Sequence, residues 1–143
     1  MNENRVLTID NLTTVFKSHK QKIQAVRGVS LYVDEGDILA IVGESGSGKS
    51  VTMKSVMGLL GENAEIQADH LEVLKKDLLS MSEKEKEKMR GKDMAMIFQD
   101  PMTALNPLKK IGSHMTEVLC RHQKLSKKEA RKVAVDMLAK VGI

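Results

Sequence analysis

The sequence predicts an α/β fold organised around one strand, one glycine-rich loop and one helix. Residues 38–42 (ILAIV) form a continuous apolar run of strand length, which is typical of a strand buried on both faces of a parallel sheet. Residues 43–50 (GESGSGKS) follow directly. Beyond them, apolar residues recur with the period of a helix, at Met53, Val56, Met57 and Leu60. An open α/β sheet has this order of elements and binds ligands where its strands end.

Composition places the 143-residue chain among globular proteins of about one domain. Apolar residues make up 41% and charged residues 29% of the chain, which excludes a disordered or collagen-like protein. Its three aromatic residues are too few for the stacking platforms of single-strand nucleic-acid binders. A single cysteine, Cys120, cannot form an internal disulfide and fits a reducing compartment. No signal peptide or membrane-spanning run is evident, so we expect a chain without a transmembrane segment of its own.

The positive charge is concentrated at the C-terminal end. Residues 109–143 carry nine Lys or Arg against three Asp or Glu, a net charge of +6, whereas the whole chain has +4. Such a segment can bind nucleic acid or an anionic surface, but lysine is also the ordinary residue of a solvated helix face. We therefore expect no specific nucleic-acid partner, only weak association that salt abolishes.

The remaining elements follow from alternation, period and capping signals. Residues 6–12 show a partial strand alternation and residues 29–33 a cleaner one, before a turn at 34–37. The helix after the loop should run over about 49–60 and stop at Gly61. Another strand is expected around Leu71 and Val73.

The C-terminal half should contain one more buried strand and several helices. Ser82 and Glu85 resemble a capping box for a short charged helix. Residues 94–98 (MAMIF) are a second buried-strand candidate, followed by a proline-bracketed loop. Apolar residues with the spacing of a helix begin at Met115. A second capping box at Ser126 begins a further helix. We expect an open sheet edge beside residues 38–42 or 94–98.

The loop itself matches G-x-x-x-x-G-K-[ST], a phosphate-binding motif. Gly43, Gly46 and Gly48 let consecutive backbone N–H groups converge on phosphate oxygens, and the following helix adds the positive end of its dipole. Lys49 would reach the β and γ phosphates, and Ser50 would offer its hydroxyl to Mg²⁺. The buried strand before the motif and the helix after it are the context that the motif requires.

Three stretches carry a resemblance to ATP-binding subunits of ABC transporters, in particular the oligopeptide and dipeptide importer group. They are residues 25–30 (AVRGVS), residues 43–50, and residues 96–107 (MIFQDPMTALNP), the last similar to that group's Q-loop. Ala104 stands where serine is commoner in the group. The resemblance implies a P-loop NTPase of the ABC ATPase type, with N-terminal antiparallel strands, an incomplete parallel sheet and the start of a helical subdomain. Residues 1–99 would be the strand-rich ATP-binding core, and residues 100–143 the Q-loop and the first part of the helical subdomain.

The same resemblance implies ATP and Mg²⁺ as cofactors. Gln99 matches the Q-loop glutamine, which contacts Mg²⁺ and the hydrolytic water, and Phe16 falls where an aromatic residue stacks on adenine. Ser50 and Gln99 would hold the Mg²⁺ ion. The ATP-binding residues that it implies are Phe16, Gly43, Glu44, Ser45, Gly46, Ser47, Gly48, Lys49, Ser50, Val51 and Gln99.

The resemblance also implies a function in transport. The partners would be the permease subunits, near residues 100–107, and a second ATP-binding subunit, at the cytoplasmic face of the membrane. After Gln99 the sequence has no Leu-Ser-Gly-Gly segment, no four apolar residues followed by Asp-Glu and no switch histidine. We therefore expect this chain alone to bind ATP without appreciable turnover, and no catalytic residue is assigned.

Four alternatives remain at this point. The cargo could be nickel or a glutathione-like solute, since related importers take these. The chain could be a non-catalytic module that docks on membrane subunits through residues 100–107 and the basic helices. A small kinase also uses a phosphate loop, but usually at its very N-terminus, whereas 42 residues precede Gly43. His114, Cys120 and His122 could suggest a metal cluster, but they lack a fourth ligand and zinc-type spacing.

Overall fold

The computed structural model describes residues 4–18, 21–100 and 105–143, which form five strands and four helices. They fall into two compact units, Met1–Glu87 and Lys88–Ile143. The elements in chain order are β1 (Arg5–Lys17), β2 (Lys22–Asp34), α1 (Lys49–Met57), β3 (Ala64–Gln67), β4 (His70–Val73), β5 (Lys76–Asp77), α2 (Glu83–Met89), α3 (Ile111–Gln123) and α4 (Lys127–Lys140). Among the described residues no helix has the length and apolar character needed to cross a membrane.

The first unit is an antiparallel sheet with β1 at its centre. β2 pairs with one edge of β1, while β3 and β4 pair one after the other with its opposite edge, and β5 pairs with β4. A bulge at Asn11, which has a φ of +51°, allows Ile9 and Leu12 both to be buried although they lie three residues apart. The backbone N–H of Asn11 donates to the Ser30 hydroxyl across this bulge, at 2.9 Å. The bulge explains why the alternation in residues 6–12 is incomplete.

The two segments predicted as buried parallel strands are not strands in this structure. Residues 38–42 and 94–98 form no ladder with any described strand, and Ile38 is 98% exposed and Ile97 96% exposed. A parallel strand depends on neighbours for its backbone hydrogen bonds, and the described residues place none beside either segment. An apolar run indicates a tendency to be buried in a sheet, but it does not show whether a neighbouring strand is present to pair with it. The prediction of these two strands was therefore wrong for this chain, whereas the α/β class is confirmed by the antiparallel sheet and its helices.

Most of the other elements lie where the sequence places them. β4 contains Leu71 and Val73, and α2 follows Ser82, whose backbone N–H donates to the Glu85 carboxylate at 2.8 Å. α1 ends at Met57, earlier than predicted, because Gly58 adopts a φ of +63° and closes the helix.

The second unit contains a hairpin of α3 and α4 with a small apolar core. Leu119 from α3 packs with Ala130 and Ala134 from α4. Ser126 begins α4 with a complete capping box, as predicted: its hydroxyl accepts from the Glu129 N–H, and the Glu129 carboxylate accepts from the Ser126 N–H at 2.9 Å. Local sequence signals therefore suffice for this hairpin. The subdomain boundary at residue 99 stays a prediction.

Replacing Ser126 by alanine should weaken this hairpin in a pH-dependent way. Hydrogen bonds from the Ser126 hydroxyl and N–H hold the pKa of Glu129 below 4.5. A folded-state pKa below the unfolded value stabilises the fold above the unfolded pKa, and this contribution is lost as pH falls through the folded value. Urea unfolding followed by circular dichroism should show Ser126→Ala less stable than wild type at neutral pH, with a smaller difference well below pH 4.5. Ser113→Ala, at an exposed serine of α3, is the control; an equal loss at both pH values would contradict this account.

Candidate functional site

Residues 43–50 lead from the irregular segment 38–42 into α1, and all of them except Gly48 and Lys49 are exposed. A turn in which the Ser47 N–H donates to the Glu44 carbonyl, at 3.2 Å, folds the loop back on itself. Gly46 and Gly48 have φ values of +82° and +95°, a backbone region that L side chains rarely adopt. The predicted glycine bend is therefore present, and it adjoins the start of a helix.

Gly48 joins the loop, the helix and the sheet. It is the N-cap residue of α1, where no side chain caps the helix and no acidic residue lies in the first turn. A Cβ atom at this position would lie 2.7 Å from the carbonyl oxygen of Ala25 in β2, so only glycine fits. The first N–H groups of α1 thus have no side-chain acceptor, and the positive end of the helix dipole faces the loop. This arrangement suits an anion.

The Lys49 ammonium group lies over the same loop. Its Nζ donates to the carbonyl oxygens of Gly43 and Glu44, both at 2.7 Å, and to the Ser47 hydroxyl at 3.3 Å. These acceptors are neutral, and negatively charged phosphate oxygens would form stronger hydrogen bonds with the same positively charged donor. The loop residues therefore fit a phosphate group by both donor geometry and charge.

The buried face of α1 contains two hydroxyl-bearing residues, Thr52 and Ser55, that were not predicted. The predicted apolar face was Met53, Val56, Met57 and Leu60, but the structure buries Thr52 and Ser55 with Val56 and Met57. The Thr52 hydroxyl donates to the Gly48 carbonyl at 3.0 Å. Threonine and serine at i and i+3 share a helix face with the valine at i+4, so the helical period places both hydroxyl residues on the buried face. The prediction omitted them because it counted apolar residues only.

The other predicted site residues are distributed over both units. Phe16 is half-buried in β1, between Ile23 of β2 and Ala64 of β3. Ser45 and Ser50 are exposed, and Val51 is half-buried in the first turn of α1. Gln99 is exposed and belongs to the unit Lys88–Ile143, so its action on the loop stays a prediction. Residues 101–104 of the predicted Q-loop lie outside the described residues.

A cavity of about 200 Å³ borders the loop. Val29 and Leu31 of β2 and Ile41 and Val42 line its apolar side. Pockets that enclose a whole small ligand usually measure about 300–1,000 Å³. The cavity is therefore too small for a nucleotide, and a phosphate group bound by the loop would lie on its open side.

The sequence of the chain is similar to those of known proteins. The profile of the ABC transporter family matches residues 26–143. The oligopeptide transport ATP-binding protein OppD of Bacillus subtilis is 48% identical, with 97% of this chain and 39% of OppD aligned. The dipeptide transport ATP-binding protein DppD of the same species is 49% identical, over 97% of this chain and 42% of DppD. The DppD protein of Lactococcus lactis is 46% identical, over 100% and 41%. The chain thus spans about two fifths of the length of these curated relatives.

A solved structure shows the same fold. It is the ATP-binding cassette MJ0796 in a dimeric post-hydrolysis state bound to ADP and Pi, with a TM-score of 0.73 and 24% identity. The similarity covers 93% of this chain and 56% of the MJ0796 chain. It confirms the predicted ABC ATPase fold, and the sequence relatives confirm the resemblance to the oligopeptide and dipeptide group. The chain belongs to the ABC transporter family.

Proposed function

We propose that this chain is the ATP-binding part of an ABC importer for oligopeptides or dipeptides, and that residues 43–50 bind the phosphates of ATP. The observation that carries the proposal is the Lys49 ammonium group placed over a loop at the uncapped N-terminus of α1. The importer class rests on the relatives, which are oligopeptide and dipeptide transport ATP-binding proteins. A nickel or glutathione-like cargo is the alternative within the same family.

Phosphate binding would replace the hydrogen-bond acceptors of the Lys49 ammonium group. Lys49 would give up the neutral carbonyl oxygens of Gly43 and Glu44 for negatively charged phosphate oxygens, while the first N–H groups of α1 donate to the same anion. Because the loop is already bent and α1 already begins at Lys49, little reorganisation is needed before binding.

Mg²⁺ would be held by Ser50 and, as the resemblance implies, by Gln99. Ser50 lies exposed in the first turn of α1, and no described group forms a hydrogen bond with its hydroxyl, which leaves that oxygen available as a ligand. The ion would neutralise charge on the phosphates and orient them. Phe16 would stack on the adenine.

Transport would require further components. Permease subunits and a second ATP-binding subunit are the proposed partners, at the cytoplasmic face of the membrane, and this chain alone would bind ATP without appreciable turnover.

The second unit supports a different candidate, a docking module that does not bind ATP. A pocket of about 950 Å³ between α3 and α4 is lined by three basic residues, Lys110, Lys127 and Arg131. No described carboxylate forms an ion pair with them.

Titration with a fluorescent ATP analogue distinguishes the two candidates. Wild-type protein should bind the analogue, and Mg²⁺ should strengthen that binding. Ser50→Ala should bind as wild type without Mg²⁺ but lose about tenfold or more of the affinity gained with Mg²⁺, because a ligand of the ion is removed. Ser113→Ala is the control and should behave as wild type. If wild type does not bind the analogue, the phosphate-loop proposal is wrong and the docking module remains.

A further inference from the structure

A pair of hydroxyl groups joins α1 to the central strand of the sheet. Thr14 in β1 is 0% exposed and Ser55 in α1 is 3% exposed, and their side-chain oxygens lie 2.9 Å apart. The Ser55 hydroxyl donates its single proton to the Val51 carbonyl at 2.8 Å. Thr14 must therefore be the donor to Ser55, which makes a short directed chain from strand to helix.

The strand that carries Thr14 also carries Phe16 on the same face. Residues 13–16 of β1 pair with β3 in unbroken register, so side chains alternate regularly there. Thr14 points at α1, and Phe16, two residues further, lies on that same side of the sheet. The hydrogen bond thus links the helix that follows the phosphate loop to the strand that carries Phe16.

A second contact fixes the other end of α1. β2 has an extra residue, Ala25, between the partners of Thr14 and Val15, and the Ala25 carbonyl lies against Gly48. Gly48 at the N-terminus of α1 therefore rests on β2, while Ser55, two turns later, is bonded to β1. Without the Ser55 contact, α1 would still bury Thr52, Val56 and Met57, but it would lose its hydrogen bond to β1, so its position on the sheet would be fixed less precisely.

We propose that Thr14 and Ser55 are positioning residues, which set the separation between the ring of Phe16 and the phosphate loop and so select ligands that span both. Neither side chain touches the ligand. The proposal rests on the proposed function, because it takes the loop as the phosphate site and Phe16 as the adenine platform. It goes beyond that function because it gives the buried Thr14–Ser55 contact, which lies outside the loop, a part in the affinity for the whole nucleotide.

The test compares a ligand that spans both features with one that occupies the loop alone. Thr14→Val removes the hydroxyl but keeps the shape and the strand preference of the side chain. It should weaken binding of Mg-ATP by about 3- to 10-fold, the range expected for one buried hydrogen bond. Binding of magnesium tripolyphosphate should change by less than about twofold, because that ligand does not reach Phe16. Thr14→Ser should restore the affinity for ATP.

Two further variants make the result decisive. Ser55→Ala removes the other partner and should repeat the effect of Thr14→Val, which covers the case of a poorly folded valine variant. In a Phe16→Ala background, Thr14→Val should have no further effect on ATP. Equal weakening of both ligands, or no change in either, would overturn the inference while leaving the phosphate loop in place. Failure of wild type to bind either ligand would instead refute the proposed function itself.

Discussion

Replacing Lys49 by alanine should weaken the binding of Mg-ATP by about 10- to 100-fold. The Lys49 ammonium group contacts the loop at Gly43, Glu44 and Ser47, so its removal takes away a charge-assisted bond to each phosphate it would reach. Stability should hardly change, because all three contacts are exposed and lie within the loop. Isothermal titration with Mg-ATP, together with urea unfolding, measures both quantities.

The matched control is Lys54→Ala, which removes the same charge from the last turn of the same helix. If only the long-range effect of a positive charge mattered, both variants would lose affinity to a similar extent, and added salt would reduce that loss. A specific role requires that Lys54→Ala stay within about twofold of wild type. If Lys49→Ala also stays there, the ammonium group does not hold phosphate and the proposed function loses its main support.

The loop could be predicted in detail because its structure depends on neighbours in sequence. Eight consecutive residues determine the bend, since Gly46 and Gly48 tolerate positive φ and the contacts of Lys49 all lie within the loop, at Gly43, Glu44 and Ser47. The capping box at Ser126 was predictable for the same reason. Contacts over a span of six residues or fewer need no knowledge of the rest of the fold.

Elements that depend on distant partners were harder to predict. Residues 38–42 have the composition of a buried strand, yet Ile38 is exposed because no described strand lies beside it. The buried face of α1 includes Ser55 because Thr14, 41 residues away, supplies its hydrogen-bond donor. A pattern in one segment carries no information about whether such a partner is present, so the hydroxyl pair could be found only in the structure.

Replacing Gly48 by alanine should strongly destabilise the first unit. Two costs add: about 1–2 kcal/mol for an L residue at a φ of +95°, and about 1–3 kcal/mol for a Cβ atom that lies 2.7 Å from the Ala25 carbonyl oxygen. That oxygen belongs to the sheet backbone, so it cannot move aside as a flexible side chain would. ATP binding should fall as well, because any relief of the clash displaces the start of α1.

Gly36→Ala separates the two costs. Gly36 has a φ of +85°, but a Cβ atom there would meet nothing within 4 Å, so this variant carries only the backbone cost. Urea unfolding should place Gly48→Ala below Gly36→Ala in unfolding free energy by about 1–3 kcal/mol, and only Gly48→Ala should lose affinity for Mg-ATP. Equal destabilisation of the two variants would mean that β2 yields to the added methyl group, and that the contact between Gly48 and Ala25 does not fix the position of the helix.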